Sequence, residues 1–338
     1  MYMRKAKSSG AHPCYRRHCI ENARKHVTRA SAEQTFVHAC TISPRSYCRE
    51  LEGMPLAIPR NLDLPLTLKG LREMARINRI DTTNMFMAAG NGHFGSCFSC
   101  AEIVTALYFA IMRVDPANPD WPDRDRFIMG KGHAAPTLYS ALIRRGFMPE
   151  EWIGEYERAV GVKLMTHPSR RYQPGVDASQ GALGHGLSVA VGMALAGRMD
   201  AKDYHVYALM GDGEINEGSV WEAAASAAKF RLGNLIGIVD RNRLTVDGDA
   251  EEVMPMEPLK AKWEAFGWET LEVDGHDIPG LLQALAVPRG AQGARPRMVI
   301  AHTVKGKGVS FMENVRSWHA DVMDTDQYDR AMAELREG

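Results

Sequence analysis

The 338 residues are 45% apolar and 24% charged, enough to bury a sizeable core and too apolar for a chain that stays disordered. Lys and Arg number 41 and Asp and Glu 41, so no net charge recruits nucleic acid or an anionic membrane, and an anionic ligand has to be held locally. No apolar run approaches the roughly 20 residues that span a bilayer, and the cysteine pattern fits a reduced, cytoplasmic setting.

Residues 1–60 stand apart. Arg4, Lys5, Lys7, Arg16, Arg17, Arg24, Lys25 and Arg29 face few acids, four of the six cysteines (Cys14, Cys19, Cys40 and Cys48) fall there, and no apolar period persists. This stretch is expected to be an extension outside the core, whether a transit peptide, a disordered tail or an over-extended reading frame. Residues 61–338 are expected to form the folded domain.

From Leu64 the pattern becomes regular. Leu68, Leu71, Met74, Ala75 and Ile77 mark a long helix with an apolar stripe, interrupted at Gly90-Asn91-Gly92-His93-Phe94-Gly95. A second helix is predicted from about Ser99 to Met112. Cys97 and Cys100 form a lone C-x-x-C, and with no second pair at zinc-finger spacing structural cysteines are the simpler reading. A strand at Arg126–Met129 runs into Gly130-Lys131-Gly132-His133, and another helix starts near Ala135. The stretch from Arg158 to Gly181, rich in Pro, Gly and polar residues, reads as a long loop of the kind that carries binding residues. Leu187–Arg198 is small and apolar and reads as a buried, tightly packed helix. Strands at His205–Met210, Leu235–Asp240, Trp268–Val273 and Met298–His302 then alternate with helices at Ser219–Phe230 and near Ile278–Leu285. Such alternation predicts an α/β fold of three layers, with helices on both faces of a mostly parallel sheet.

The most informative segment is Gly211-Asp212-Gly213-Glu214-Ile215-Asn216-Glu217-Gly218, followed by a helix, a strand and Asp240-Arg241-Asn242-Arg243-Leu244. In a parallel sheet, ligands sit beyond the carboxyl ends of the strands, where Asp212 and Asn242 would both lie. A carboxylate, an amide oxygen and a nearby carbonyl supply part of a magnesium shell, which phosphate oxygens and water commonly complete. Gly211 and Gly213 would let the main chain approach the phosphates, at the N-terminus of the next helix.

The G-D-G…N pattern resembles the thiamine diphosphate signature, and the wording of Gly211–Gly218 and of Asn242-Arg243-Leu244-Thr245-Val246-Asp247-Gly248 is similar to transketolases, over roughly Leu64 to Ala320. The resemblance implies that Asp212, Asn242 and the Leu244 carbonyl hold Mg2+ or Ca2+, that Gly211 and Gly213 adjoin the diphosphate, and that Glu217 is a catalytic residue at a subunit interface, where acidic residues link the two active sites. Four histidines fall at family positions. His93 sits in a variant of the S-G-H-P-G loop with Asn and Phe for Ser and Pro. His133 follows Lys131-Gly132 and would contact the diphosphate. His167 in Thr166-His167-Pro168 matches a G-H-P histidine, with Thr for Gly, and His319 follows the loop Lys305-Gly306-Lys307-Gly308 and would touch both cofactor and substrate. Neutral imidazoles donate to phosphate or to a developing alkoxide and exchange protons near neutrality. Gly181 and Leu183 would contact the cofactor rings, while His185 has a packing role and His276 is explained by a turn after a strand.

Thiamine diphosphate supplies the electron sink for carbon–carbon bond cleavage. In transketolases the acid that activates it comes from a pyrimidine-binding domain not found in these 338 residues. The resemblance therefore implies a separate C-terminal subunit, a dimer of such pairs, and two-carbon ketol transfer between sugar phosphates. Two alternatives stay open: the α subunit of a 2-oxoacid dehydrogenase, which shares G-D-G…N, and a non-catalytic regulatory subunit.

Overall fold

The computed structural model of the protein describes residues 65–158, 163–290 and 293–337. The expected boundary at residue 60, and the extension before it, lie outside the described residues. Five strands, β1 (Arg126–Met129), β2 (Val206–Gly211), β3 (Leu235–Arg241), β4 (Glu269–Asp274) and β5 (Arg297–His302), form one sheet in the order β1-β2-β3-β5-β4. Every neighbouring pair is parallel. Each strand lies within a residue or so of its expected place, because four are apolar runs and β4 alternates apolar with polar residues.

Side chains alternate between the two faces. On one, Val206, Ala208 and Met210, Leu235 and Val239, and Met298 and Ile300 share a core with α5 (Gly186–Met199), α6 (Gly218–Lys229) and α8 (Leu259–Ala265). Trp263 and Trp268 are fully buried there with ring centroids 5.2 Å apart; truncating either to Ala should cost roughly 3–5 kcal/mol. Phe127, Tyr207, Leu209, Ile236, Ile238 and Val299 are buried on the opposite face. The third layer comprises α1 (Leu68–Ala89), α3 (Ala101–Ala106), α4 (Ala135–Arg145) and α9 (Ile278–Leu285), which pack on one another, with α9 also on β4. The short helices α2 (Phe94–Phe98) and α7 (Ala250–Val253) flank the strand ends, and α10 (Thr325–Glu337) packs on α1. The three-layer α/β/α expectation is borne out.

Local chemistry explains the boundaries. Thr67 caps α1 by accepting from the Gly70 N–H at 3.2 Å, and Gly90 ends it at φ +79°, a conformation glycine adopts without strain. The helix expected over Ser99–Met112 runs as α3 and continues into a wider turn at Leu107–Ile111, while α2 precedes it and lies outside the expected elements. Between α2 and α3 the Ser99 hydroxyl donates to the Asp240 carboxylate at 2.6 Å. Cys97 and Cys100 are buried free thiols, with burial raising their pKa values to about 12 and about 11. The long loop after residue 163 runs along the free edge of β1, where Asp177 accepts from the Phe127 N–H at 2.7 Å and pairs with Arg124.

One expectation is corrected. α5 is apolar but only half buried: Leu187, Ala190, Val191 and Ala194 face the sheet, whereas Ser188, Gly192 and Ala196 are exposed and Met199 is 78% exposed. Small apolar residues on both sides made it read as enclosed, yet the sheet covers one side only. No helix among the described residues is long and apolar enough to cross a membrane.

Candidate active site

β2 and β3 are in register with Gly211 opposite Asp240, so the two strands end at the same level. Asp212 is buried there. Its Oδ1 accepts from the Gly213 N–H at 2.9 Å and its Oδ2 from the Arg243 N–H at 2.5 Å. Asn242 Oδ1 accepts from the Leu244 N–H at 3.1 Å. The carboxylate, amide oxygen and carbonyl singled out in the sequence therefore belong to one linked turn. Burial, and then the neighbouring Asp240 charge, raise the Asp212 pKa against the Arg243 hydrogen bond.

The donor set suits a hard cation. It is all oxygen, with one carboxylate, one amide and one carbonyl, and no cluster of three or more His, Cys, Asp or Glu able to hold a metal exists among the described residues. Such a trio fits Mg2+ or Ca2+ shared with phosphate oxygens better than a cage made by protein alone. The Leu244 carbonyl already takes a cation, the Lys305 ammonium, at 2.7 Å. A Cβ on Gly211 would meet Lys131 and Glu214 only at 3.9 and 4.0 Å, so packing within the chain does not require glycine there.

Three of the four histidines form a triangle, with ring centroids 5.2 Å apart for His93–His133, 5.8 Å for His93–His319 and 5.4 Å for His133–His319. The fourth, His167, lies against the Lys131-Gly132-His133 turn: a Cβ on Gly132 would come within 3.0 Å of its ring, and one on Gly181 within 3.6 Å. Burial lowers the pKa of His93, with the His167 charge adding to it. Burial and then Lys131 hold that of His133 well below its ordinary value. His319 is pushed down to about 3 by burial and then by Lys305. Lys305 Nζ lies 2.8 Å from His319 Nδ1, which must accept from the ammonium, so the His319 proton sits on Nε2. His93, His133 and His319 are thus neutral imidazoles able to donate one hydrogen bond each.

Gly181 and Leu183 are exposed on the loop that closes over His167. Glu217, at the start of α6, is also exposed; it packs on Gly184, where an added Cβ would come within 2.5 Å of its own Cβ, and Ser219 donates to the Gly184 carbonyl at 3.0 Å. The structure thus brings Glu217 to the Gly181–Gly186 loop.

Several supporting residues escape sequence reasoning. Lys131 and Asp240 form a wholly buried ion pair beneath the site, tied also to the Ser96 carbonyl and the Thr303 hydroxyl. Glu214 accepts from the Gly184 N–H at 3.0 Å and the Gly211 N–H at 3.1 Å, joining two loops; burial pushes its pKa up to about 7 against those bonds. Lys305 is the cation described above. The available signal was a charged residue inside each glycine motif, but their partners lie far away in sequence.

Comparisons with known proteins identify the family. The family profile "Transketolase, thiamine diphosphate binding domain" matches residues 71–335. The chain is 44% identical over 263 residues to one of the apulose-4-phosphate transketolase subunits of Phocaeicola vulgatus, covering 77% of this chain and 92% of that protein. It is 41% identical over 265 residues to "6-deoxy-6-sulfo-D-fructose transketolase subunit SqwG" of a Clostridium species, covering 78% and 96%. The solved transketolase of Leishmania mexicana superposes with a TM-score of 0.74 at 28% identity, over 79% of this chain and 41% of that one. The chain thus spans about two fifths of the solved transketolases it matches and nearly all of the subunits. By fold, site geometry and sequence, it belongs to the transketolase family as a thiamine diphosphate-binding domain.

Proposed function

We propose that this chain is the thiamine diphosphate-binding subunit of a two-chain transketolase-type transferase, moving a two-carbon ketol unit between sugar phosphates. The observation that carries the reading is the convergence of Asp212, Asn242 and the Leu244 carbonyl at the ends of β2 and β3 with the cluster of His93, His133, His167 and His319. Two relatives that the chain covers almost end to end are named as subunits, which supports a separate partner carrying the pyrimidine-binding domain. Exposed Leu183, Val246, Val315 and Val322 lie on the segments that carry the site, an apolar rim suited to that partner. The assembly is a dimer of such pairs, and a cytoplasmic location fits the two reduced, buried thiols.

In this reading Asp212, Asn242 and Leu244 hold Mg2+ or Ca2+, and Gly211, Gly213, His133 and Lys305 face the diphosphate. Gly181 and Leu183 flank the rings of the cofactor. When bound, thiamine diphosphate supplies the electron sink for cleaving the ketose carbon–carbon bond. His93, His167 and the Nε2–H of His319 orient the substrate oxygens and hold or return a proton there, while Glu217 lies toward a second copy of the chain.

The test is ketol transfer from xylulose 5-phosphate to ribose 5-phosphate with thiamine diphosphate and Mg2+, by this chain alone and with the candidate partner. Turnover only in the mixture is expected. Turnover of a 2-oxoacid with an artificial electron acceptor would instead indicate the dehydrogenase alternative, and a mixture that assembles and binds cofactor without any turnover would indicate a regulatory subunit.

A further inference from the structure

His276 closes the turn after β4, and both of its ring nitrogens are engaged. Nδ1 lies 3.0 Å from Oε2 of Glu102, and Nε2 lies 2.9 Å from the main-chain nitrogen of Val304. The Val304 nitrogen can only donate, so Nε2 accepts; the ring is neutral with its proton on Nδ1, aimed at the carboxylate. Glu102 on α3 is held in turn by Arg79 on α1 at 2.7 Å, and both are buried.

The turn itself does not need the imidazole. Asp274 Oδ1 accepts from the His276 N–H at 2.8 Å, the Gly275 N–H donates to the His302 carbonyl at 2.7 Å, and the Asp277 N–H reaches the Asp274 carbonyl at 3.1 Å. The ring instead reaches the segment leaving β5. Val304 immediately precedes Lys305, whose ammonium lies 2.7 Å from the Leu244 carbonyl and 2.8 Å from His319 Nδ1. On its other side the segment is fixed by the Thr303 N–H on the Arg241 carbonyl at 3.2 Å.

We propose that His276 is a positioning residue of the active site: a neutral imidazole that anchors Val304 to the buried Arg79–Glu102 pair and thereby fixes the Lys305 ammonium against Leu244 and Nδ1 of His319. Its consequence for the cofactor rests on the function proposed above; its effect on His319 does not. Outer residues that orient a ligand shell typically change affinity 10- to 100-fold when removed.

The experiment uses the full chain, labelled with 15N-histidine, and reads ring nitrogen shifts by NMR alongside the Kd for thiamine diphosphate with Mg2+ by calorimetry. In H276N the amide can still donate to Glu102 but has no atom at the Nε2 position, whereas H276Q offers a donor and an acceptor at similar separation. The expected result is that H276N loses the single Nε2–H pattern of His319 and weakens cofactor binding about tenfold, while H276Q restores both. A His319 pattern unchanged in H276N would overturn the proposal, whatever happens to thermal stability. Should H276N not fold, the wild-type spectrum still decides: His276 protonated on Nε2 would overturn it, and the Nδ1–H form supports it. Loss of the His319 pattern in H276N, with no cofactor binding by the wild type even when assembled with its partner, would uphold the positioning role and overturn the proposed function.

Discussion

Nζ of Lys305 lies 2.8 Å from Nδ1 of His319, and the same ammonium lies 2.7 Å from the Leu244 carbonyl. One buried cation thus sets the tautomer of a histidine proposed to face substrate and covers an oxygen expected to bind metal. Lys305→Met should release His319, whose pKa then rises from about 3 because the charge opposing its protonation is gone, although burial keeps it below its ordinary value. The variant should be no less stable than the parent, since burial deprives the ammonium of hydration. Its affinity for Mg2+-pyrophosphate, measured by calorimetry, should fall about 10- to 100-fold.

Asp212 supplies the only carboxylate among the three expected metal donors. Asp212→Asn keeps an oxygen for the Arg243 N–H, held at 2.5 Å in the parent, but removes the charge. The fold should survive, because burial already penalises the ionised form. Metal-dependent binding of thiamine diphosphate should drop by about 100-fold or more, given that charged ligands dominate Mg2+ sites. An unchanged Kd would rule out the assigned metal position.

Away from the strand ends, Glu102 offers a pH test. Burial works against its charge, yet the Arg79 guanidinium and His276 outweigh it and hold the pKa at about 2, against 4.5 for an ordinary glutamate. A carboxylate depressed in the fold contributes stability that is fully present above the unfolded pKa. That stability is lost as pH falls from about 4.5 toward 2. Glu102→Gln should therefore cost about 3 kcal/mol at pH 7 in urea melts. The gap between variant and parent should shrink across that acid window; a gap independent of pH would disprove the charge assignment.

The parts of this protein that were legible in its sequence are those decided locally. Four of the five strands are apolar runs and β4 alternates apolar with polar residues, and most of the site's named residues sit in glycine-bearing motifs. The residues that hold the site rigid were not legible, because their partners are distant: Ser99 finds Asp240, Glu214 finds Gly184, and Lys305 finds Leu244. α10 also lies outside the expected elements, although Tyr328, Ala331, Met332 and Leu335 are buried at helical spacing. The bare face of α5 could not be read at all, since apolarity reports that a surface prefers cover and not which chain provides it.

Thr166 stands where the family motif has glycine, and its hydroxyl donates to the Glu157 carboxylate beside His167. Glu157 is held at φ +54°, a left-handed conformation that costs a non-glycine residue of order 1 kcal/mol or more, retained where the surroundings enforce it. The pair ties down the loop that carries His167. Thr166→Val keeps the shape and removes the bond, so KM for the sugar substrates should rise several-fold with kcat less affected. Thr166→Gly should do the same more strongly, since glycine also frees the main chain. Steady-state kinetics of the assembled enzyme would check this, and an equal fall in kcat and kcat/KM would place the pair in the chemical step instead.

Gly132 separates the buried Lys131 from His133 and lets three loops meet. A Cβ there would stand 3.0 Å from the His167 ring, 3.2 Å from the Gly181 nitrogen and 3.3 Å from the Gln180 carbonyl carbon. Two of those neighbours are main chain, so the imidazole and the Gly181 loop must both yield by a few tenths of an ångström. Gly132→Ala should therefore lower the melting temperature by only a few degrees, as an overpacking change of about 1–2 kcal/mol would. Its effect on kcat should be larger, about tenfold to a hundredfold, because His167 is proposed to orient substrate and small displacements of such a group are amplified in the rate. Full activity in a folded Gly132→Ala chain would mean that His167 does not need its present position, and would move the substrate end of the site elsewhere.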